Sequence, residues 1–195
     1  MTKYQKKTGL LFGSFNPIHN GHLILASFML EFTDLNEVWF VVSPHNPHKS
    51  ARSMIHEFDR IDMVELAIED NDRFKASDIE FQMSRPSFTI NTLTHLCEKH
   101  PAHQFKLIIG EDNLKSFPRW KNNKVILEDF GLLVYPRPGA RNPALKNHPN
   151  VLYIEAPLLD ISATYIRKAI HNGLSIKYLV PEKIADFIQE RQLYS

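Results

Sequence analysis

Short apolar runs that alternate with amphipathic stretches restrict the fold of this chain more than any other feature of its sequence. The runs are continuous in apolar residues, which is typical of strands buried on both faces of a parallel sheet. Stretches with helical spacing separate them, so we predict a doubly wound parallel α/β fold with right-handed crossovers. The predicted strands are 9–13, 38–42, 105–110, 131–135 and 151–154, and the predicted helices include 21–32, 55–69, 88–100 with Ser87 as N-cap, and 181–193 with Pro181 in the first turn.

The size and composition of the chain suit one globular domain. Its 195 residues fall within the range of single domains, and its 43% of hydrophobic residues can fill a core. We therefore predict one domain over 1–195, with a helical C-terminal part at about 160–195. Residues 136–149 are rich in Pro, Arg and Asn, which predicts a long surface loop.

Net charge and cysteine content argue against several classes of partner. Lys and Arg total 23 against 22 Asp and Glu, so no overall field attracts nucleic acid or an anionic membrane. No apolar run approaches the roughly 20 residues that cross a bilayer. Cys97 is the only cysteine, which excludes an intrachain disulfide and fits a reducing cytoplasm. We predict a soluble cytoplasmic protein with Cys97 in the core, not at a nucleophilic site.

The residues after the first strand are the strongest candidates for a ligand site. In open α/β sheets, ligands bind beyond the carboxyl ends of the strands. Gly13 allows a sharp turn there, and a helix start near Gly21 offers free backbone N–H groups to an anion. His19 and His22 are three residues apart and point the same way. Two imidazoles at a helix start suit a phosphate that gains negative charge in its transition state.

The HxxH spacing by itself leaves two other interpretations open. The histidines could be an ordinary surface pair around a helix cap. They could also bind zinc, although a structural zinc site needs four ligands and would have to recruit Cys97 or distant histidines.

Two segments near opposite ends of the chain resemble the paired motifs of one enzyme superfamily. Residues 13–22, GSFNPIHNGH, resemble the first motif of the nucleotidyltransferases with an (H/T)xGH sequence. Residues 161–167, ISATYIR, resemble the second motif, ISSTxIR, with Ala163 where Ser or Thr is frequent. The two motifs occur in the correct order, and together they are highly specific.

Four motifs between these two resemble the nicotinate-nucleotide adenylyltransferases in particular. Phe88 and Asn91 depart from the SYTxDT segment of that family. The resemblance extends from about Leu10 to the C-terminal helix. The four motifs are PHNPHK at 44–49, SFTINT at 87–92, IGEDNL at 109–114 followed by Phe117 and Trp120, and RPG at 137–139.

The resemblance implies a Rossmann-like fold and a specific reaction. A 5′-phosphate oxygen of nicotinate mononucleotide would attack the α-phosphorus of ATP in line, giving nicotinate adenine dinucleotide and pyrophosphate in NAD biosynthesis. Mg²⁺ would bridge the triphosphate, mostly through ligand oxygens and water. No covalent enzyme intermediate is expected. The sequence does not decide between nicotinate and nicotinamide mononucleotide, or between a monomer and a homo-oligomer.

The resemblance also implies roles for individual residues. His19 and His22 would contact the α-phosphate, and Lys49 and Arg167 would hold the leaving phosphates; the donor fork of an arginine fits phosphate oxygens in pairs. Taken singly, Lys49 would be a solvated charge, Arg167 a surface ion-pair residue, Ser162 a plain helix cap and Trp120 a packing residue. The remaining candidates are Gly13, Ser14, Phe15, Gly110, Asp112 (ribose), Ser162 and Thr164 on the ATP side, and Thr89, Trp120 (pyridine stacking) and Arg137 on the mononucleotide side.

Three rival functions differ in their motifs or in what they need of this site. A pantetheine-phosphate adenylyltransferase resembles TxGH at the first motif, and it lacks the PHK and IGxD…W segments. A cytidylyltransferase differs at the second motif. A nucleotide-binding protein without turnover would not need both histidines and Arg167, all of which are present.

Overall fold

The computed structural model describes residues 5–44, 54–137, 145–157 and 160–195, which form a three-layer α/β structure. Six parallel strands lie in the order β3-β2-β1-β4-β5-β6, so the predicted doubly wound parallel fold is confirmed. The strands are β1 (Lys6–Gly13), β2 (Glu37–Val42), β3 (Phe74–Ser77), β4 (His103–Gly110), β5 (Leu132–Tyr135) and β6 (Val151–Tyr153).

Helices cover both faces of this sheet. The four predicted helices are present, with ends within three residues of the expected ones. The α-helices are α1 (Asn20–Phe32), α2 (Glu57–Ile68), α3 (Thr89–Lys99), α4 (Glu111–Leu114), α5 (Asn123–Val125), α6 (Ala163–His171) and α7 (Glu182–Glu190). Short 3₁₀ turns occur at Ile79–Gln82 and Phe117–Arg119, and a π-helical turn at Ile126–Phe130.

The central strands contain continuous apolar runs because each face of the sheet packs against its own core. Side chains alternate between the two faces of a strand. In β1, Leu11 belongs to the core that α1, α2, α6 and α7 cover, whereas Leu10 belongs to the core on the other face, beneath α3. In β2, Phe40 and Trp39 divide in the same way. This double burial is why continuous apolar runs, rather than alternating ones, marked these strands in the sequence.

One strand was not predicted. Strand β3 has four residues and pairs only with β2, at the edge of the sheet. Its sequence, FKAS, buries Phe74 but exposes Lys75, so it lacks the continuous apolar run of a central strand. Edge strands are often short and charged, which prevents pairing with other chains.

Two predictions around α3 were wrong. The N-cap is Phe88 rather than Ser87, because the Ser87 side chain bonds to the buried carboxyl group of Glu80. Cys97 is exposed rather than in the core. The buried stripe of α3 contains Leu93 and Leu96, and Cys97, one residue further, lies outside it. In the part of the chain that the structure describes, no helix is long and apolar enough to cross a membrane.

The order of the strands places a crevice between the carboxyl ends of β1 and β4. From β1 the chain runs outward through β2 to β3, then returns beside β1 with β4 and continues outward to β6. Such a reversal separates the loops that follow the two central strands, and ligands of doubly wound folds bind there. Strands β1 and β4 both end in glycine, at Gly13 and Gly110.

A buried carboxylate, Glu37, lies at the amino-terminal ends of the strands, opposite the crevice. Its side chain is 1% exposed and accepts hydrogen bonds from the Trp39 indole at 2.8 Å and the Thr8 hydroxyl at 3.1 Å. It forms ion pairs with Lys6 and, at 3.5 Å, with Lys75. Burial raises the pKa of Glu37. The hydrogen bonds from Lys6 and Trp39 and the charge of Lys75 lower it by more than burial raises it, so the net effect is a pKa below the usual value of 4.5.

Replacing Glu37 with Gln is expected to lower the free energy of unfolding at neutral pH by about 1.5–3 kcal/mol, the range for hydrogen bonds to a charged group. A carboxyl group whose pKa is depressed by folding stabilises above its unfolded value and ceases to do so as the pH falls through its folded value. The gap between wild type and variant should therefore be constant above pH 4.5 and close below it. Urea unfolding at a series of pH values measures this, and a gap that does not change with pH would contradict the ionised state of Glu37.

Candidate active site

The turn between β1 and α1 is built around a buried phenylalanine. Phe15 is 2% exposed and packs edge-to-face against Phe40 at 5.7 Å. A Cβ atom on Gly13 would lie 2.9 Å from the Phe15 ring, so the ring requires glycine there. The φ angle of Phe15 is 42°, in the left-handed region that residues other than glycine rarely adopt. The buried ring therefore holds the turn in a conformation that the backbone alone would not favour.

The two motif histidines lie together at the start of α1, as predicted. Their rings stack, with centroids 3.6 Å apart and an interplanar angle of 21°, and Phe15 contacts the His22 ring at 5.0 Å. His19 is the N-cap residue, and its backbone N–H donates to Nδ1 of His22 at 3.3 Å. Nitrogen lone pairs lie in the ring planes, so two stacked rings do not aim at one metal ion. This geometry argues against the zinc interpretation.

His19 is buried and uncharged at neutral pH. Burial, followed by the positive charge of Arg137, lowers its pKa to about 4. Its Nδ1 atom is buried, and the His22 N–H donates to the His19 carbonyl at 2.9 Å. A Cβ atom on Gly21 would lie 3.1 Å from this Nδ1, so Gly21 leaves the space that the ring occupies.

The start of α1 is only partly available to an anion, which corrects the prediction of a bare helix end. The Asn20 N–H donates to the Leu179 carbonyl at 2.9 Å, and the Asn20 side chain donates to the Tyr178 carbonyl at 2.7 Å. For the Gly21 N–H the structure shows no protein acceptor among the residues it describes. The contact with residues 178 and 179 is long-range, which explains why local sequence did not reveal it.

The second motif folds against the first. Ser162 caps α6 by accepting from the Tyr165 N–H at 3.2 Å, as predicted. The guanidinium group of Arg167 donates to the Asn16 carbonyl at 2.8 Å and to the Thr164 hydroxyl at 3.4 Å. A Cβ atom added to Gly21 would lie 3.7 Å from the Cβ atom of Ile161, the residue before Ser162. Two segments about 150 residues apart in sequence thus form one wall of the crevice.

The ends of β4 and β5 contribute a second group of predicted residues. The Asp112 carboxylate lies over Gly110, where an added Cβ would be only 2.3 Å from Oδ1. Nε of Arg137 is 3.9 Å from Oδ1 of Asp112, and the guanidinium lies 5.2 Å from the Tyr135 ring centroid. The positive charge of Arg137 also lowers the pKa of His19, so this group acts electrostatically on the histidine pair.

Thr89 and Trp120 belong to a third group. Thr89 is the first residue of α3, and Phe88 precedes it. The Nζ atom of Lys121 lies 4.7 Å from the ring centroid of Phe88. Trp120 is half-buried, packs against Phe117 at 5.5 Å, and donates from its indole N–H to the Ser116 hydroxyl at 3.3 Å. The Phe88–Lys121 contact therefore joins the segments that carry Thr89 and Trp120.

Part of the predicted site lies outside the described residues. Lys49 and the rest of the PHK segment fall in 45–53, and Pro138 and Gly139 fall in 138–144. The roles predicted for them stay predictions.

Two residues that the sequence did not single out hold the β1–α1 turn. Arg60 on α2 is fully buried and donates to the Ser14 carbonyl at 2.7 Å. The Tyr194 hydroxyl donates to Oδ1 of Asn16 at 2.8 Å. Arg60 had a detectable signal, because helical spacing places it on the same face as the buried Met63 and Val64. Tyr194 had none, since it follows the last helix and reaches Asn16 only through the tertiary fold.

Comparisons with known proteins show the family to which this chain belongs. Residues 10–169 match the family model described as cytidylyltransferase-like. A "probable nicotinate-nucleotide adenylyltransferase" from Cytophaga hutchinsonii is 55% identical over 189 residues, covering 97% of this chain and 98% of the relative. One of the same name from Flavobacterium johnsoniae is 48% identical over 190 residues, covering 96% and 98%. The chain belongs to the nicotinate-nucleotide adenylyltransferase family. It is therefore a nucleotidyltransferase.

A solved structure supports the fold of this family member. The nicotinic acid mononucleotide adenylyltransferase of Plasmodium falciparum, complexed with NaAD, superimposes with a TM-score of 0.80 at 21% identity, covering 97% of this chain and 98% of that one. At that identity the likeness concerns the arrangement of strands and helices. The sequence-based assignment to this family is confirmed by the closer relatives.

The pKa of His19 provides a test of the site's electrostatics. Its ring NMR signals should titrate with a midpoint near pH 4, and Arg137→Gln should raise that midpoint because a nearby positive charge disfavours protonation. Since the folded pKa lies below the unfolded 6.5, the free energy of unfolding should fall as the pH drops from 6.5 to 4.

Arg73→Gln is the matched control for this titration. Arg73 pairs with Glu31 at 3.0 Å and donates to the Asn36 carbonyl, at the other edge of the sheet. Its removal should leave the His19 midpoint unchanged. A wild-type midpoint near 6.5 would show that His19 is neither desolvated nor close to Arg137.

Proposed function

We propose that this chain transfers AMP from ATP to nicotinate mononucleotide, giving nicotinate adenine dinucleotide and pyrophosphate. One observation carries the proposal: the second motif meets the first, with Arg167 bonded to the Asn16 carbonyl at 2.8 Å beside the stacked histidines. The wall that results contains imidazole, backbone N–H and guanidinium donors, which suit a polyphosphate. Relatives up to 55% identical over almost the whole chain carry the name of this activity.

The α-phosphate would lie between the histidine pair and the β1–α1 turn. Because Nδ1 of His19 faces Gly21, the Nε2 edge of that ring is the one that can reach a ligand. An uncharged imidazole acts as a hydrogen-bond donor rather than as a cation. The developing charge would then be stabilised by donors from His19, His22, Gly21 and the Ser14–Phe15 peptide, all positioned before the reaction.

The leaving pyrophosphate would lie along α6. Arg167 uses two of its five donors on Asn16 and Thr164. The other three have no acceptor among the residues that the structure describes, and we assign them to phosphate oxygens. An open groove of about 540 Å³ beside Arg167 is also lined by Lys168 and His171. We keep Lys49 and Ser162 as further candidates for this side of the site. The attacking phosphate is already anionic, so the reaction needs no general base.

Mg²⁺ is the metal that we propose for this reaction. Among the described residues no three His, Cys, Asp or Glu side chains gather into a metal site. We expect the ion to be held mainly by triphosphate oxygens and water, which is the coordination that Mg²⁺ prefers. When bound, it would neutralise charge on the phosphates. We assign the Asp112 carboxylate to a ribose hydroxyl rather than to the metal ion.

The mononucleotide would lie toward α3 and the turn after β4. Trp120 is half-buried and offers an aromatic face for stacking on the pyridine ring. Thr89 would bind polar atoms of the same ligand, and Arg137 borders both this side and the histidine pair. The single domain over 1–195, the cytoplasmic location and the oligomeric state stay predictions.

Pyrophosphate release tests the proposed reaction directly. Purified protein with ATP and Mg²⁺ should release pyrophosphate with nicotinate mononucleotide, and should do so much more slowly with 4′-phosphopantetheine. Nicotinamide mononucleotide, assayed in parallel, measures the preference for the pyridine substituent. Release with phosphopantetheine alone would assign the chain to the rival adenylyltransferase, and ATP binding without release would indicate a nucleotide-binding protein.

Replacing His22 with Ala should lower turnover on the order of 10²-fold or more, by comparison with the loss of one oxyanion donor. The variant should fold, since His22 is only half-buried. His95→Ala is the control, because His95 is a 43% exposed residue of α3 that pairs with Glu98. Near-normal turnover of His22→Ala in the pyrophosphate assay would reject the role of His22.

A further inference from the structure

We infer that Arg60 is a positioning residue for the transferred phosphate, acting through the backbone of the β1–α1 turn. Arg60 is fully buried, and each of its four recorded bonds goes to a backbone carbonyl. The inference rests on the proposed function, because it assigns Arg60 a purpose at the same site. The acceptors are Ser14 at 2.7 Å, Ser43 at 2.6 Å, Pro44 at 2.8 Å and Ile55 at 3.3 Å.

The bond to Ser14 determines which way the next N–H group points. A trans peptide unit is planar, so the carbonyl of Ser14 and the N–H of Phe15 point in opposite directions. The guanidinium holds that carbonyl on the α2 side of the turn, and the Phe15 N–H therefore points away from α2. This is the N–H that the proposed mechanism uses for the α-phosphate.

The surroundings of Arg60 explain why an arginine is required. A buried charge is costly unless it is hydrogen-bonded, and Arg60 is surrounded by carbonyl dipoles that compensate for the loss of water. Its planar fork reaches carbonyls after β1 (Ser14) and after β2 (Ser43 and Pro44) at once. A lysine has one ammonium group and cannot span acceptors that lie in these different directions.

The same bonds connect the carboxyl ends of two strands. Strands β1 and β2 pair in parallel, and the Ser43 N–H donates to the Gly13 carbonyl at 2.9 Å. Arg60 adds a side-chain link from Ser14 to Ser43 just beyond this last backbone bond. The hydrogen-bonded link between the two strands therefore continues one residue further, into the turn that contains the proposed phosphate donors.

The deciding experiment compares Arg60→Lys with Arg73→Lys. Arg73 is the matched control, because it also donates to backbone carbonyls, of Leu30, Leu35 and Asn36, but at the opposite edge of the sheet. Both variants should lose thermal stability. Only Arg60→Lys should lose kcat, by about 10- to 100-fold per folded molecule, since small misplacements of reacting groups have effects of that size. The KM for nicotinate mononucleotide should change by less than about threefold, because only the transition-state donor is displaced.

A purely structural role would give a different result. It would lower the amount of folded protein but leave kcat per folded molecule unchanged, as in Arg73→Lys. A kcat of Arg60→Lys within twofold of wild type would therefore overturn the inference. Arg60→Ala is less informative, because it leaves a cavity and unpaired buried carbonyls and is expected to fold poorly.

A second measurement does not depend on turnover. In ¹⁵N-labelled protein, α,β-methylene-ATP should shift the Phe15 amide proton downfield in wild type and in Arg73→Lys, but not in Arg60→Lys. An equal shift in Arg60→Lys would show that Phe15 keeps its orientation without Arg60. If wild type bound the analogue with this shift but released no pyrophosphate, the proposed reaction would fail while the positioning role of Arg60 stood.

Discussion

The turn between β1 and α1 depends on hydrogen bonds that its carbonyl groups accept from arginines of distant segments. Arg60 bonds to Ser14 and Arg167 bonds to Asn16, at 2.7 and 2.8 Å. Between them lies Phe15, whose φ angle of 42° costs roughly 1–2 kcal/mol for a residue with a side chain. The two bonds and the buried Phe15 ring offset that cost.

The layer order of the fold brings these arginines to the turn. Helices α1, α2, α6 and α7 cover the same face of the sheet and share one hydrophobic core. Arg60 and Arg167 are therefore on the same side of β1 as the helix that carries the histidines. The Tyr194 hydroxyl, bonded to Asn16, is in the same cluster, and burial raises its pKa well above 10 despite both arginine charges. One core thus positions all the groups that hold the turn.

The sequence predicted those features of the fold and of the candidate site that depend on the local pattern of apolar and polar residues. Continuous apolar runs identified the buried strands, and the rule that ligands bind at strand ends located Gly13, His19 and Asp112. The edge strand β3 was not predicted because Lys75 interrupts its apolar pattern. The burial of Arg60 was not predicted because a charged residue within a helix is usually exposed.

Other features were outside the reach of any local pattern. The Asn20 N–H looked available from its place at a helix start, yet the Leu179 carbonyl occupies it. That contact depends on how the C-terminal segment folds back over α1. The same holds for Arg167, whose sequence motif indicated phosphate binding but not the bond to Asn16. In both cases the missing information is a tertiary contact across more than 150 residues.

Under the proposed reaction, the charge state of His19 would determine how its ring acts on the α-phosphate. Burial, followed by the positive charge of Arg137, disfavours the protonated ring, so His19 is uncharged in the free protein. The negative charge of a bound polyphosphate would offset that of Arg137 and so raise the pKa of the ring. In the proposed mechanism, His19 would therefore not have to be a cation in the free protein in order to donate to the α-phosphate.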